Sequence, residues 1–539
     1  MADTDEQKRS REYEKYNLLN WINSNAPDSS IAREAFERVQ KEHPEFLTRE
    51  YPGLDHWASG IRLVDHKSPH SAEELLQESP EKWIEVLLQF KGDVLHEQPD
   101  REELLQEVTK AVNMSFDWGL RLAIALAQRK EWNSDIWGYL IKGWKQGSLS
   151  EEQWHETILF LCEYPALYTS TIAVAELVEE GVKKEDGGIQ FSILPEAESL
   201  SDKIWESLQT VAEEKWEGYG WLDAAMNRSA GKVAEFWLQA VYQRSKVQGD
   251  TWEHLPDDYR TRFKQVIDGK SFAAKLGRAI LGSRIHFLYN LDAKWTEENL
   301  LRLFDFDADK EKAEQVWHGF LYWGRIPSAL SEDFKPLLRR AVPYIRDDSE
   351  GLRERLINHI VDILLRDPGD PLADGWYYDI LRVSATTEED RVNMATRIWH
   401  TLREASDDFK KSVWDRWLKK YWSDRTENKP IAFTKDEADR FIEWVPRLRV
   451  VLKEAVDLVC LTKPFSLYQT HLYYDIRKGK LVDTNPAEVL KLLVYILKDV
   501  PDSSLHCYEL APLYNSLVEK LGEKATGPLA EHLKRLGCL

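Results

Sequence analysis

The sequence predicts an all-α protein: an irregular helical-repeat, solenoid-like array or a set of stacked helical bundles, with at most one short hairpin. Three observations carry this. Apolar residues recur at i, i+3, i+4 and i+7, the period of a helix face. Helix-start signals repeatedly precede those stripes. Alternation of apolar and polar residues, the mark of a half-buried strand, barely occurs outside Gly188–Leu194 (GIQFSIL).

Taken in order, Ser79-Pro80 sets an N-cap and a first-turn proline before the stripe Trp83, Val86, Leu87 and Phe90. Ser150 with Gln153 forms a capping box, in which hydroxyl and amide satisfy each other's free backbone donors. The stripe behind it is Trp154, Thr157, Ile158, Leu161 and Cys162. Trp317, Phe320 and Leu321 form another, in which Gly319 allows close helix packing. In WDRWLKKYW, Trp414, Trp417, Tyr421 and Trp422 make one buried stripe, with Arg416, Lys419 and Lys420 on the solvated side. Thr434 with Glu437 repeats the box before Phe441, Ile442 and Val445. Asn485-Pro486 opens a helix whose inner face reads Val489, Leu492, Leu493, Ile496 and Leu497.

Breaks fall at Gly181–Ser199, Gln248–Asp258, Asp367–Asp374 and Ser423–Pro430, where Gly, Pro and charged residues interrupt the pattern. They divide the chain into an N-terminal helical region (1–182), a middle one (200–280) and a C-terminal domain (281–539). No fixed repeat period is found, so no named repeat class is implied.

Composition limits the function classes. With 43% hydrophobic residues and 22 tryptophans in 539, the chain can build large cores and is not a disordered one. Asp and Glu number 93 against 72 Lys and Arg, a net charge of −21. That field repels phosphate backbones, so the charge disfavours nucleic acid as a partner and favours basic protein surfaces. Cys162, Cys460, Cys507 and Cys538 show no paired spacing, so buried thiols in a reducing cytoplasm are expected. A charged N-terminus without an apolar core, and no long apolar run, predict a cytoplasmic protein without a membrane span.

Candidate chemistry is sparse. His155-Glu156 begins a metalloprotease-like string, but Leu159 stands where the second histidine ligand belongs. His66 and His70 are separated by Pro69, which disfavours one continuous helical face. No metal and no cofactor is expected. Arg353 and His359 have the spacing of helical HEPN-type RNases, where Arg would stabilise phosphate charge and His move a proton. Their neighbours Leu356, Ile357 and Ile360 also make an ordinary amphipathic helix. The tyrosines Tyr468, Tyr473 and Tyr474, beside Arg477-Lys478, are a candidate partner-facing surface.

The stretch from Ser283 to Leu338 carries Trp295, Phe304, Phe306, Trp317-His318-Gly319-Phe320-Leu321 and Phe334-Lys335-Pro336. On these landmarks it resembles the bacterial domain of unknown function family 4020. The likeness is strongest over 283–338. It continues more loosely through Trp376, Trp414-Asp415-Arg416-Trp417 and Asn485-Pro486, and upstream in Asn17–Ile22, Phe46–Pro52 and Ser68-Pro69. The resemblance implies a helical region that accompanies sirtuin-like, NAD-consuming enzymes in anti-phage defence. Such enzymes need a Gly-rich nucleotide-binding turn. Asn290-Leu291-Asp292 lacks the strand–loop–helix context of such a site. Any NADase activity would therefore lie in a missing domain or a separate chain. The resulting expectation is a non-catalytic sensor or regulatory module that binds a phage trigger protein or an effector subunit and is free to oligomerise. The alternatives are the helical RNase and a general protein–protein scaffold.

Overall fold

The computed structural model describes residues 5–26, 29–46, 48, 68–91, 100–212, 220–346, 351–366, 369–462, 471–498, 500 and 507–539. These residues form helices joined by turns, with no strand among them, so the fold is all-α. They group into two compact units, Met1–Glu196 and Ala197–Leu539.

The first unit begins with the pair α1 (Asp5–Asn25) and α2 (Ser30–Glu42), closed by a small core of Tyr13, Tyr16, Val39 and Phe46. Then come α3 (Ala72–Gln77), α4 (Ile84–Gln89), α5 (Arg101–Met114), α6 (Phe116–Gln128) and α7 (Ser134–Gln146). They are followed by α8 (Glu151–Glu163), α9 (Ala166–Ser170) and α10 (Ala173–Lys183). Helices α5 and α7 meet closely because Gly143 has no side chain. A Cβ there would lie 2.6 Å from that of Val112 and 2.8 Å from the Thr109 carbonyl. The Ser150–Gln153 box forms as predicted, and Trp154, Thr157, Ile158 and Leu161 are buried behind it. Around Ser79-Pro80 the outcome differs. Ser79 makes no cap, a 3₁₀ turn Pro80–Lys82 precedes the short α4, and Ile84 and Leu87 are its buried residues. The candidate strand 188–194 is a turn closed by Ile189 N–H to the Gly181 carbonyl (2.9 Å), leading into α11 (Leu194–Ser207).

The second unit continues with α12 (Gly220–Met226), α13 (Ser229–Gln248), α14 (Asp257–Asp268), α15 (Phe272–Ser283), α16 (Ile285–Leu291) and α17 (Ala293–Asn299). Next are α18 (Lys310–Trp323), α19 (Ser331–Ala341), α20 (Leu352–Arg366), α21 (Trp376–Arg382), α22 (Glu388–Glu404) and α23 (Asp407–Val413). A π-turn, Trp414–Leu418, joins α23 to α24 (Lys419–Thr426). The rest are α25 (Lys435–Trp444), α26 (Leu452–Val459), α27 (Leu472–Lys478), α28 (Leu481–Thr484), α29 (Pro486–Leu497), α30 (Cys507–Leu521) and α31 (Glu523–Arg535).

Polar contacts in this unit recur at similar sequence separations. Arg353–Asp390, Arg397–Asp362, Lys335–Asp374, Arg449–Asp407, Lys491–Asp457 and Arg535 to the Val500 carbonyl join residues 34 to 42 apart. Each helix pair thus docks on the pair before it, the logic of a stacked array. Uneven spacing explains why the sequence shows no fixed period.

The landmarks of 283–338 are core. Phe304, Trp317, Phe320 and Phe334 are fully buried with ring centroids 5.2–6.3 Å apart, mostly edge-to-face, and Trp317 Nε1 donates to the Phe304 carbonyl (2.8 Å). Such aromatic pairs add about 0.5–1.5 kcal/mol each beyond the area they bury. Residues 280 and 281, where the middle and C-terminal regions were drawn to meet, both lie within α15. That helix packs directly on α18. A Cβ on Gly282 would lie 2.3 Å from the Val316 carbonyl oxygen, and one on Gly319 would lie 1.7 Å from that of Ala279.

The cysteine expectation is corrected. Cys507 and Cys538 form a disulfide, because α30 and α31 run as a hairpin that returns the chain end to the start of α30. Cys162 and Cys460 are free and half-buried. Among the described residues no helix is long and apolar enough to cross a membrane.

Candidate functional site

A concavity of the second unit lies between α20 and α22. The start of α22 is fixed twice over. Thr387 and Asp390 form a capping box, and the same Asp390 carboxylate accepts two hydrogen bonds from Arg353 near the start of α20 (2.8 and 2.6 Å). Arg353 also donates to the carbonyls of Val342, Ile345 and Ala385, closing the end of α19. The Arg353 guanidinium and the Thr387 box hold the Asp390 carboxyl below its usual range, against a burial effect that acts to raise it. Farther along, Arg397 donates to Asp362 (2.9 Å) and ties the later turns together.

Helical periodicity then sorts the side chains of α22. Met394, Ala395, Ile398, Trp399 and Leu402 enter the core. Asn393, Thr396, Arg397 and His400, at i, i+3, i+4 and i+7, line a cavity of about 840 Å³. Glu354 and Asn358 of α20 stand on its other wall, and Ser406 and Phe409 close its far end. A second cavity of about 410 Å³, lined by Thr387 and Glu389 among others, shares Glu354 and Asn393 with the first. The two cavities adjoin at these shared residues and together form a groove along the helix pair. The His400 imidazole lies edge-on to Trp399 (4.8 Å), and desolvation, then Arg403 and Arg397, hold it below its ordinary pKa.

The structure separates the two residues of the RNase reading. Six residues on a helix amount to about 240° of rotation, so the side chains leave different faces. Arg353 is engaged with Asp390, whereas His359 packs on the Phe320 ring (4.5 Å) and burial pushes its pKa down to about 4. Asp292 of Asn290-Leu291-Asp292 caps α17 by accepting from the Trp295 N–H (3.0 Å). It also accepts from Arg260 (2.9 Å) and from the Leu255 N–H (3.2 Å). His155 pairs with Glu196 (2.7 Å), and His66 lies outside the described residues.

Trp414, Trp417, Tyr421 and Trp422 are all buried, while Lys419 pairs with Glu454 and Lys420 with Asp424, as the stripe predicts. The tyrosine cluster divides. Tyr473 is buried, Tyr474 is exposed beneath Arg477 and Lys478, and Tyr468 lies outside the described residues.

Sequence reasoning passed over the groove. Its signal was present as a second, polar stripe at helical spacing on α22, visible beside the apolar one but without an assigned face. Curated proteins gave no match to the chain. The resemblance drawn most strongly over 283–338 is corrected in position, since that stretch lies before the span where a family model fits. Residues 371–524, from just before α21 into α30, match the family described as Domain of unknown function (DUF4020).

Proposed function

We propose that this chain is a non-catalytic helical module that regulates by binding a protein partner, in the setting of bacterial anti-phage defence. The partner is a phage polypeptide or a NAD-consuming effector. One observation carries the reading: two adjoining cavities lined by hydrogen-bonding side chains run along α20 and α22, while Arg353 and His359 are engaged in packing on separate faces. A stacked helical array offers long surfaces suited to large partners. Binding there alters an effector only through different contacts with its active and inactive states.

The test is affinity capture of the tagged full chain from cells before and during phage infection, with cellular NAD followed in parallel. Capture of a phage polypeptide or a NAD-consuming enzyme, with an NAD change that depends on the chain, is expected. Neither partner captured, with NAD unchanged, would overturn the reading. RNA cleavage by the purified chain that vanishes in His359→Ala would replace it with the helical RNase.

A further inference from the structure

The groove has features that specify the kind of ligand it takes. Most polar side chains along it are already engaged. Thr396 and Thr401 donate to main-chain carbonyls of their own helix (2.8 and 3.2 Å), and the Ser406 hydroxyl caps the Phe409 N–H (3.3 Å). Arg397 is bonded to Asp362 and Arg403 to Glu404 (2.7 Å), so a carboxylate neutralises each guanidinium. The half-buried carboxamides of Asn358 and Asn393, on opposite walls, have no such partner among the described residues. Near them Glu354 and Glu389 are exposed carboxylates without an ion pair among the described residues.

We propose that this groove binds an extended peptide segment, its main chain held by the carboxamides of Asn358 and Asn393 and a Lys or Arg side chain received by Glu354 and Glu389. A carboxamide donates and accepts at once, so it matches the N–H and C=O of a peptide unit. An extended segment has its main-chain groups free, because it has neither a helix ladder nor a sheet ladder. Two amides on facing walls hold such a chain without reading its side chains, and being neutral they avoid the cost of desolvating a charge. The charge pattern selects the rest. The guanidiniums of Arg353, Arg397 and Arg403 are paired and give little attraction for a polyanion. Arg346 is one further cation at the second cavity, outweighed by the two carboxylates and the chain's net charge of −21, which favour a cationic segment. Across the pair of cavities an extended chain advances about 3.3 Å per residue, so several residues lie along the groove.

This inference rests on the preceding reading only in taking the partner to be a polypeptide. The test pans a displayed library of random heptapeptides against the purified full chain, then measures recovered peptides by fluorescence anisotropy. Peptides enriched in Lys or Arg are expected. Their affinity should fall about tenfold in Asn358→Ala and in Asn393→Ala, the loss expected from removing a pair of hydrogen bonds of ordinary strength. N-methylation of the central peptide amides should give a similar loss. Glu354→Gln should reduce affinity chiefly at low salt. Glu314→Ala, on the exposed surface of α18, should change nothing.

Thermal melting of each variant separates lost binding from lost folding. If neither asparagine variant melts as the parent does, N-methylation decides, since it leaves the protein untouched. Recovery of no peptide, or of peptides indifferent to N-methylation, overturns the proposal. Tighter binding of a seven-nucleotide single strand, lost in the asparagine variants, would assign the groove to nucleic acid and overturn it too. A partner captured from infected cells equally well by Asn358→Ala/Asn393→Ala removes the groove while leaving the broader regulatory reading in place.

Discussion

The contact between α15 and α18 gives the sharpest quantitative expectation. At Gly319 an added Cβ would stand 1.7 Å from the Ala279 carbonyl oxygen, 2.7 Å from its carbon and 3.1 Å from its Cα. All three atoms are backbone, so no side chain can rotate away. The helices themselves must part by more than an ångström. Gly282 makes the reciprocal contact, with the Val316 oxygen at 2.3 Å, so the crossing cannot slide to relieve one clash without worsening the other. Trp317 and Phe320 lie on the same helix and would lose contact with Phe304 and Phe334 as α18 moves. Overpacking of this kind costs about 1–3 kcal/mol and sometimes more. The better helix propensity of alanine returns about 1 kcal/mol. With the clash against backbone the cost sits at the upper end of that range, so Gly319→Ala should lose about 2 kcal/mol net by urea denaturation, with Gly282→Ala behaving alike. Gly138→Ala is the control: nothing lies within 4 Å of its added carbon, so it should gain a few tenths to about 1 kcal/mol. A Gly319→Ala protein as stable as the parent would refute the argument.

Further outcomes follow from the buried charges and rings. Glu437, fully buried, accepts from Arg391 (3.2 Å) and Arg425 (2.8 Å), and Arg425 also donates to the carbonyls of Lys429, Ile431 and Ala432. Arg425→Met should cost about 3–5 kcal/mol in chemical denaturation, while replacing Arg391, Arg425 and Glu437 together by apolar residues should restore much of it. An equal loss in the triple variant would sink that account.

The His359 pKa is held near 4, below the value of about 6.5 in the unfolded chain. The unfolded state therefore binds the proton first. Stability from this site is complete above about pH 6.5 and is lost as pH falls toward 4. His359→Phe should flatten the dependence of melting temperature over that window, and an unchanged slope would contradict it. Trp417→Ala should cost about 3–5 kcal/mol, whereas Lys419→Ala/Lys420→Ala should stay within about 1 kcal/mol for each exposed ion pair. A well-folded Trp417→Ala protein that loses binding to single-stranded RNA would instead make the stripe a stacking platform.

Capping boxes show where reading a sequence succeeds and where it stops. Ser150–Gln153 forms complete because the two partners are three residues apart at the start of one helix, and each side chain reaches the other's backbone N–H. At Thr434 only half the device forms. The hydroxyl accepts from the Glu437 N–H, but the glutamate side chain is taken by Arg391 and Arg425. Arg391 lies 46 residues away, and no local rule anticipates it. Asp292 is similar: a cap for its own helix is legible, but Arg260 and the Leu255 N–H are not.

Most helices and apolar faces, the start at Ser79-Pro80 apart, were legible in the sequence, because periodicity and capping act within a turn or two of the chain. Folding in space decided the rest. It paired Cys507 with Cys538 across a hairpin, sent Arg353 and His359 to separate surroundings, and set Asn358 of α20 across a groove from Asn393 of α22. Those outcomes depend on which helix packs on which. Contacts between residues dozens of positions apart fix that choice, and they leave no short-range pattern in the chain.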